Sequence, residues 1–161
     1  MKYIITTTVV VLLATIMQAQ EKEEVSTQQI VESKNYIFKA ESANPSRGRT
    51  RHLTSEYDLV VTSDTVIAFL PYFGRAYSAP INSSEGGIKF TSTDFEYVLE
   101  KKKKRRWEIL ITPKDAREIQ ALYLTIFDNN KASLRVNSVN RESISFNGYI
   151  VEGKQRDKKA F

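Results

Sequence analysis

The chain contains no cysteine. That excludes disulfides, thiolate nucleophiles, thiolate metal sites and lipid attachment at an N-terminal cysteine. Stability must come from an apolar core, and 161 residues with 41% hydrophobic content are enough to form one in a single domain. Histidine is almost as scarce, with His52 standing alone. Ser55, Glu56 and Asp58 lie near it in sequence, but this spacing on a strand or loop builds no triad, because a triad is a matter of geometry. There is no nucleophile elbow, no zinc-binding helix motif, no glycine-rich phosphate loop and no internal repeat. Carboxylates that would share a strand face, such as Asp94 and Glu96, are too common to argue acid–base chemistry, so no catalytic residue, metal or cofactor is expected. Only four prolines interrupt the chain, and two of them bracket one stretch, Pro71-Tyr72-Phe73-Gly74-Arg75-Ala76-Tyr77-Ser78-Ala79-Pro80. A segment so punctuated cannot be a continuous helix or an inner strand. It reads as an ordered aromatic connection that carries the chain round a corner.

Long apolar runs are confined to the start. Met1 to Ala19 has Lys2 as a charged n-region, Ile4 to Ile16 as the apolar stretch and Met17-Gln18-Ala19 ending in a small residue, the pattern of a secretory signal cut before Gln20. The run falls below the ~17 to 25 residues that span a bilayer, so no transmembrane span is expected after cleavage. Export to the periplasm, the outer envelope or the extracellular space follows. Without Lys2 the mature chain carries 23 basic and 19 acidic side chains, a net charge of +4. This mild excess favours anionic ligands, glycans or envelope components, and is too diffuse to argue nucleic-acid binding in an exported protein.

The remainder is organised by alternation. Residues 20–29 form a polar, flexible lead-in, with a short helical turn over Gln28 to Ser33; residues 30–151 form the domain; residues 152–161 are a basic tail that frays. Tyr36, Phe38 and Ala40 alternate with polar neighbours in a first strand. Tyr57 to Thr62 and Thr65 to Leu70 form a hairpin turning at Ser63-Asp64, and Ile88 to Phe90 a short strand. Phe95, Tyr97 and Leu99 face one way, as do Trp107, Ile109 and Ile111. Pro113 and Asp115 suggest a helical turn through Ile119, capped by Asp115. Three further alternating faces, from Leu122, Ala132 and Ile144 onward, complete a meander. The expected class is all-β: an antiparallel meander of about eight strands forming a lipocalin-like or half-open barrel, with a two-layer sandwich as the alternative.

Several strings resemble those of exported bacterial proteins grouped as the domain of unknown function 4251 family. They are Ser42-Ala43-Asn44-Pro45 with Arg49 downstream, Leu53-Thr54-Ser55 leading to Tyr57-Asp58-Leu59, and Leu70-Pro71-Tyr72-Phe73-Gly74-Arg75-Ala76-Tyr77. Gly86-Gly87-Ile88-Lys89-Phe90-Thr91-Ser92 and Ile144-Ser145-Phe146-Asn147-Gly148-Tyr149-Ile150 complete the set. The resemblance runs from Ile30 to Val151. It implies an envelope protein of Bacteroidota-like bacteria and brings no activity, because the family has none assigned.

Two clusters and two modification motifs stand out. Arg47, Arg49, Arg51 and His52 combine with Tyr72, Arg75 and Tyr77; if Arg47 to Arg51 is extended, the three guanidinium groups share a face beside aromatic rings, an arrangement suited to a carboxylate, phosphate or sulfated sugar. The competing reading pairs these arginines with the chain's own carboxylates, such as Glu41, Glu56, Asp58 and Asp94, and has the tyrosines fill core edges. The run Lys101, Lys102, Lys103, Lys104, Arg105 and Arg106 falls at a hairpin tip, where it either contacts an anionic surface or merely solvates the turn. Asn82-Ser83-Ser84 is an N-glycosylation sequon, and Asp64-Thr65-Val66 resembles an O-glycosylation motif with Thr65 as acceptor. The expected function is non-catalytic binding of a small or anionic ligand in the envelope. A structural partner of an envelope complex and a hydrolase with an atypical site are the alternatives.

Overall fold

Side chains that alternate at period two favour a strand with one dry and one wet face, and this pattern decides most of the chain. The computed structural model describes residues 26–75, 77 and 86–153; the expected secretory signal, the end of the 71–80 connection, the sequon and the basic tail from residue 154 lie outside the described residues. A helix, α1 (Thr27–Glu32), precedes ten strands: β1 (Tyr36–Pro45), β2 (Arg51–His52), β3 (Asp58–Val61), β4 (Val66–Pro71), β5 (Gly87–Ser92), β6 (Phe95–Lys102), β7 (Arg106–Pro113), β8 (Ile119–Phe127), β9 (Lys131–Ser138) and β10 (Ile144–Glu152). No helix among the described residues is long and apolar enough to cross a membrane.

The strands make one sheet in the order β5-β4-β3-β1-β10-β9-β8-β7-β6, with the short β2 also paired to β1. Every neighbouring pair is antiparallel. The two strands at the ends of this order therefore point the same way, and only Thr93 and Asp94 separate them in sequence. β5 and β6 are thus successive halves of one bent strand, the first paired with β4 and the second with β7. Counted once, that strand brings the sheet round on itself as a nearly closed barrel of eight staves. The meandering barrel expected from the alternation is the architecture that forms, rather than the sandwich.

The bend has its own latch, where the sequence suggested a helical turn. No helix forms after Pro113. Instead Asp115 accepts hydrogen bonds from Ser92 Oγ and from the backbone N–H groups of Thr93 (2.9 Å) and Asp94 (3.2 Å), while Lys114 N donates to Asp94 O at 2.8 Å. Closure on the other side rests on β1 and β10, whose register shifts between Ala40 and Ser42. Gly148 faces Ala40 there; a Cβ on it would lie 1.8 Å from the Lys39 carbonyl oxygen, so only glycine lets the bulged strands approach.

The lumen is a packed core. Phe38, Leu59, Ile111, Leu122, Leu124, Leu134 and Phe146 are fully buried, Trp107 is 3% exposed, and all join one apolar cluster. An eight-stranded barrel is about wide enough for inward side chains to fill. One end is plugged by α1. Ser26 caps the helix in a reciprocal arrangement with Gln29, Ile30 and Val31 enter the core, and Thr27 Oγ1 lies 2.8 Å from Asp128 O and 2.7 Å from Asn130 Oδ1. Residues 27–29 are therefore a packed helix, not the flexible lead-in the composition suggested. Strand registers put the β3–β4, β6–β7 and β8–β9 turns at this plugged end. The opposite end carries the 46–50 loop, the segment after β4 and the 139–143 turn.

Candidate anion-binding site

The end of the barrel opposite α1 is stitched together by backbone and one phenol. Tyr77 N donates to Asn140 O at 2.8 Å and Glu142 N to Arg75 O at 3.0 Å. The Tyr72 hydroxyl sits between the carbonyl oxygens of Arg75 (2.7 Å) and Glu142 (3.0 Å), and burial, followed by the Glu142 charge, pushes its pKa up. Arg141 lies over the Tyr72 ring at 5.2 Å, donates to Gly87 O at 2.9 Å and approaches Glu118 to 3.7 Å. Across from this, Ser46 Oγ donates to Ser143 O, and Thr50 Oγ1 bonds Asn44 Oδ1 at 2.7 Å, so the 46–50 loop is held at both ends.

These contacts bring most of the first sequence-derived cluster to one rim. Arg51 stacks on Phe73 with its guanidinium carbon 4.8 Å from the ring centre, and Arg47 Nε is 3.8 Å from Glu142. Arg49 and Arg75 are exposed and make no ion pair among the described residues; Tyr77 is 71% exposed. His52 is exposed on β2, its backbone opposite Ser42. The assumption that Arg47 to Arg51 is extended is overturned, because residues 46–48 bend and Gly48 takes φ +115°. Arg47 and Arg51 therefore leave the backbone for different partners. The competing reading holds for Arg47, which pairs with the chain's own Glu142, whereas Glu56 and Asp58 take Lys39 instead (3.8 and 3.3 Å). Asp94 lies in the bend before β6, so it does not share a strand face with Glu96. Phe73, Arg141 and Glu142 are not among the site residues the sequence suggests, the last two because charge in a turn looks like ordinary solvation.

The basic run behaves as two sets. β6 and β7 carry Lys101, Lys102 and Arg106, which are occupied: Lys101 Nζ bonds Gln28 Oε1 at 3.2 Å, Lys102 bridges Glu100 and Glu108, and Arg106 meets Glu108 at 3.0 Å. The Lys102 hydrogen bond and charge hold Glu100 below the usual carboxylate range. Lys103, Lys104 and Arg105 form the exposed tip and have no ion pair among the described residues. Thr65 is half-buried in the β3–β4 turn, where its N–H donates to Thr62 Oγ1 (2.9 Å) and its hydroxyl to Asp64 Oδ1 (3.1 Å). On the outer face of β6, β7 and β8, Val98, Leu110 and Tyr123 line a shallow groove of about 220 Å³ beside Glu100, Glu108 and Thr125.

Fold and rim together define a small antiparallel barrel with a filled lumen and an arginine–aromatic rim at one end. The chain belongs to the family described as Domain of unknown function (DUF4251), whose model matches residues 18–150. Among solved structures it is similar to the crystal structure of a DUF4251 family protein from Bacteroides eggerthii DSM 20697, with a TM-score of 0.54 at 14% identity over 76% of this chain and 83% of that one. That likeness concerns the fold. No curated protein matches the chain.

Proposed function

We propose that this is an exported, non-catalytic binding protein of the bacterial envelope that receives a small anionic ligand, such as a carboxylate, a phosphate or a sulfated sugar, on the arginine rim. The observation that carries the reading is that the rim is held by contacts within the chain. Tyr72, Arg75 and Tyr77 are tied to residues 140–142, and Arg51 is seated on Phe73, which leaves Arg49 and Arg75 beside them without carboxylate partners among the described residues. Guanidinium forks suit planar, bidentate anions, and the contacts that tie the Arg75 backbone and seat Arg51 lower the ordering cost of binding.

A thermal-shift screen of phosphate, sulfate, small carboxylates and sulfated saccharides tests this directly. At least one should raise the Tm of the native protein, and Arg49→Ala combined with Arg75→Ala should abolish that rise. An equal rise in the double variant would remove the rim from consideration.

A further inference from the structure

We propose that the plugged end of the barrel docks on an anionic phospholipid bilayer through the β6–β7 tip, Lys103, Lys104 and Arg105, with Phe127 beside it entering the headgroup layer. This surface lies at the other end of the barrel from the arginine rim and does not depend on it.

The charges are already sorted for such a role. Lys101, Lys102 and Arg106 are spent within the molecule, on Gln28, Glu100 and Glu108, and these contacts hold the hairpin against α1 and in register. Beyond them the three tip cations project without an ion pair among the described residues. Asp128, in the neighbouring turn, bounds the patch on one side, and Lys131 follows it in sequence.

The backbone supplies a second, independent observation. Lys104 and Arg105 sit at φ 63° and 49°, in the left-handed region where side chains are crowded and where glycine or asparagine is the ordinary turn residue. Two successive cations with β-carbons are a poor choice for the turn itself, and neither makes an ion pair among the described residues. Strain kept at an exposed position is expected where the side chains act on something outside the fold.

Apolar surface completes the patch. Phe127 stands directly across from Arg106 in the final rung of the sheet, on the row that includes Lys102, and is 41% exposed. A convex tip cannot enclose a small ligand. Compact, strongly hydrated lysine ammonium groups respond to a diffuse anionic field more than to one planar partner. Cations around an exposed aromatic side chain at the end of the barrel match a plane of lipid phosphates over a hydrocarbon boundary.

The test is co-sedimentation of the mature full-length chain with vesicles of phosphatidylcholine and phosphatidylglycerol in equal parts, against phosphatidylcholine alone. The protein should partition onto the mixed vesicles only, and less so as salt is raised. Each cation near such a surface is worth about fivefold, so Lys103→Gln, Lys104→Asn and Arg105→Gly together should weaken partition on the order of a hundredfold. The same triple variant should melt no lower than the parent, because it relieves two left-handed positions, so its loss of binding cannot be ascribed to unfolding. Phe127→Ser should weaken partition further in the otherwise native chain. Equal partition of the triple variant and the parent, equal binding to both vesicle types, or binding to soluble polyphosphate with none to mixed vesicles would each overturn the proposal.

Discussion

Asp115 takes its role from hydrogen bonds that span more than twenty residues of sequence, reaching Ser92, Thr93 and Asp94. The Ser92 hydroxyl first, then the Thr93 and Asp94 N–H groups, favour the ionised carboxylate and lower its pKa from 3.8 to about 2. Since the folded value lies below the unfolded one, the stability this group lends is complete above pH 3.8 and is lost as pH falls toward about 2. Asp115→Asn should therefore flatten the acid limb of the stability curve in urea titrations taken across that window, and superimposable limbs would refute the latch. Gly148→Ala tests the barrel's other join. With the Lys39 oxygen 1.8 Å from the added carbon, β1 and β10 must part, at a cost at or beyond the upper end of ~1–3 kcal/mol by denaturant titration. Neither residue announces its role in the sequence: Asp115 reads as a helix cap, and Gly148 stands only within a string shared with the family.

At the scale of the element, α1 is the part whose meaning changes most. Its helical character is readable from residues 28–33, but Ile30 and Val31 become a plug only because the strands around them leave an end open. Ile30→Ala should cost ~2–4 kcal/mol in urea unfolding, and Ser26→Ala about 1 kcal/mol through loss of the cap. A smaller effect of Ile30→Ala than of Ser26→Ala would show that the helix is not part of the core. Hairpins were the most legible elements, since Ser63-Asp64 and Asp128-Asn129-Asn130 place turn chemistry next to alternating strands. The two-residue β2 has no pattern of its own and exists because β1 offers it a partner at Ser42 and Ala43.

Across the whole molecule, a filled lumen shifts any binding to the ends or outer faces of the barrel. Trp107, 3% exposed within the core, should emit at short wavelength and resist acrylamide quenching. A rim ligand should leave its emission unchanged, whereas a change on binding would indicate an occupant inside the barrel. Folding should be slow for a chain of this size, in the millisecond-to-second range by stopped-flow fluorescence, because pairs such as Tyr36 with Glu152 join the ends of the domain. Microsecond folding would mean that closure is not the limiting step.

Local rules suffice for the all-β class, the faces of the strands and a hairpin turn within the basic run Lys101 to Arg106, because period-two alternation and turn residues act over a few positions. The eight-stave closure, the bend shared by β5 and β6, the exchange of Asp58 for Glu142 as an arginine's partner and the plugging of one end were decided by tertiary structure. Each depends on groups far apart in sequence meeting in space, and such a meeting leaves no trace in the short-range spacing of residues.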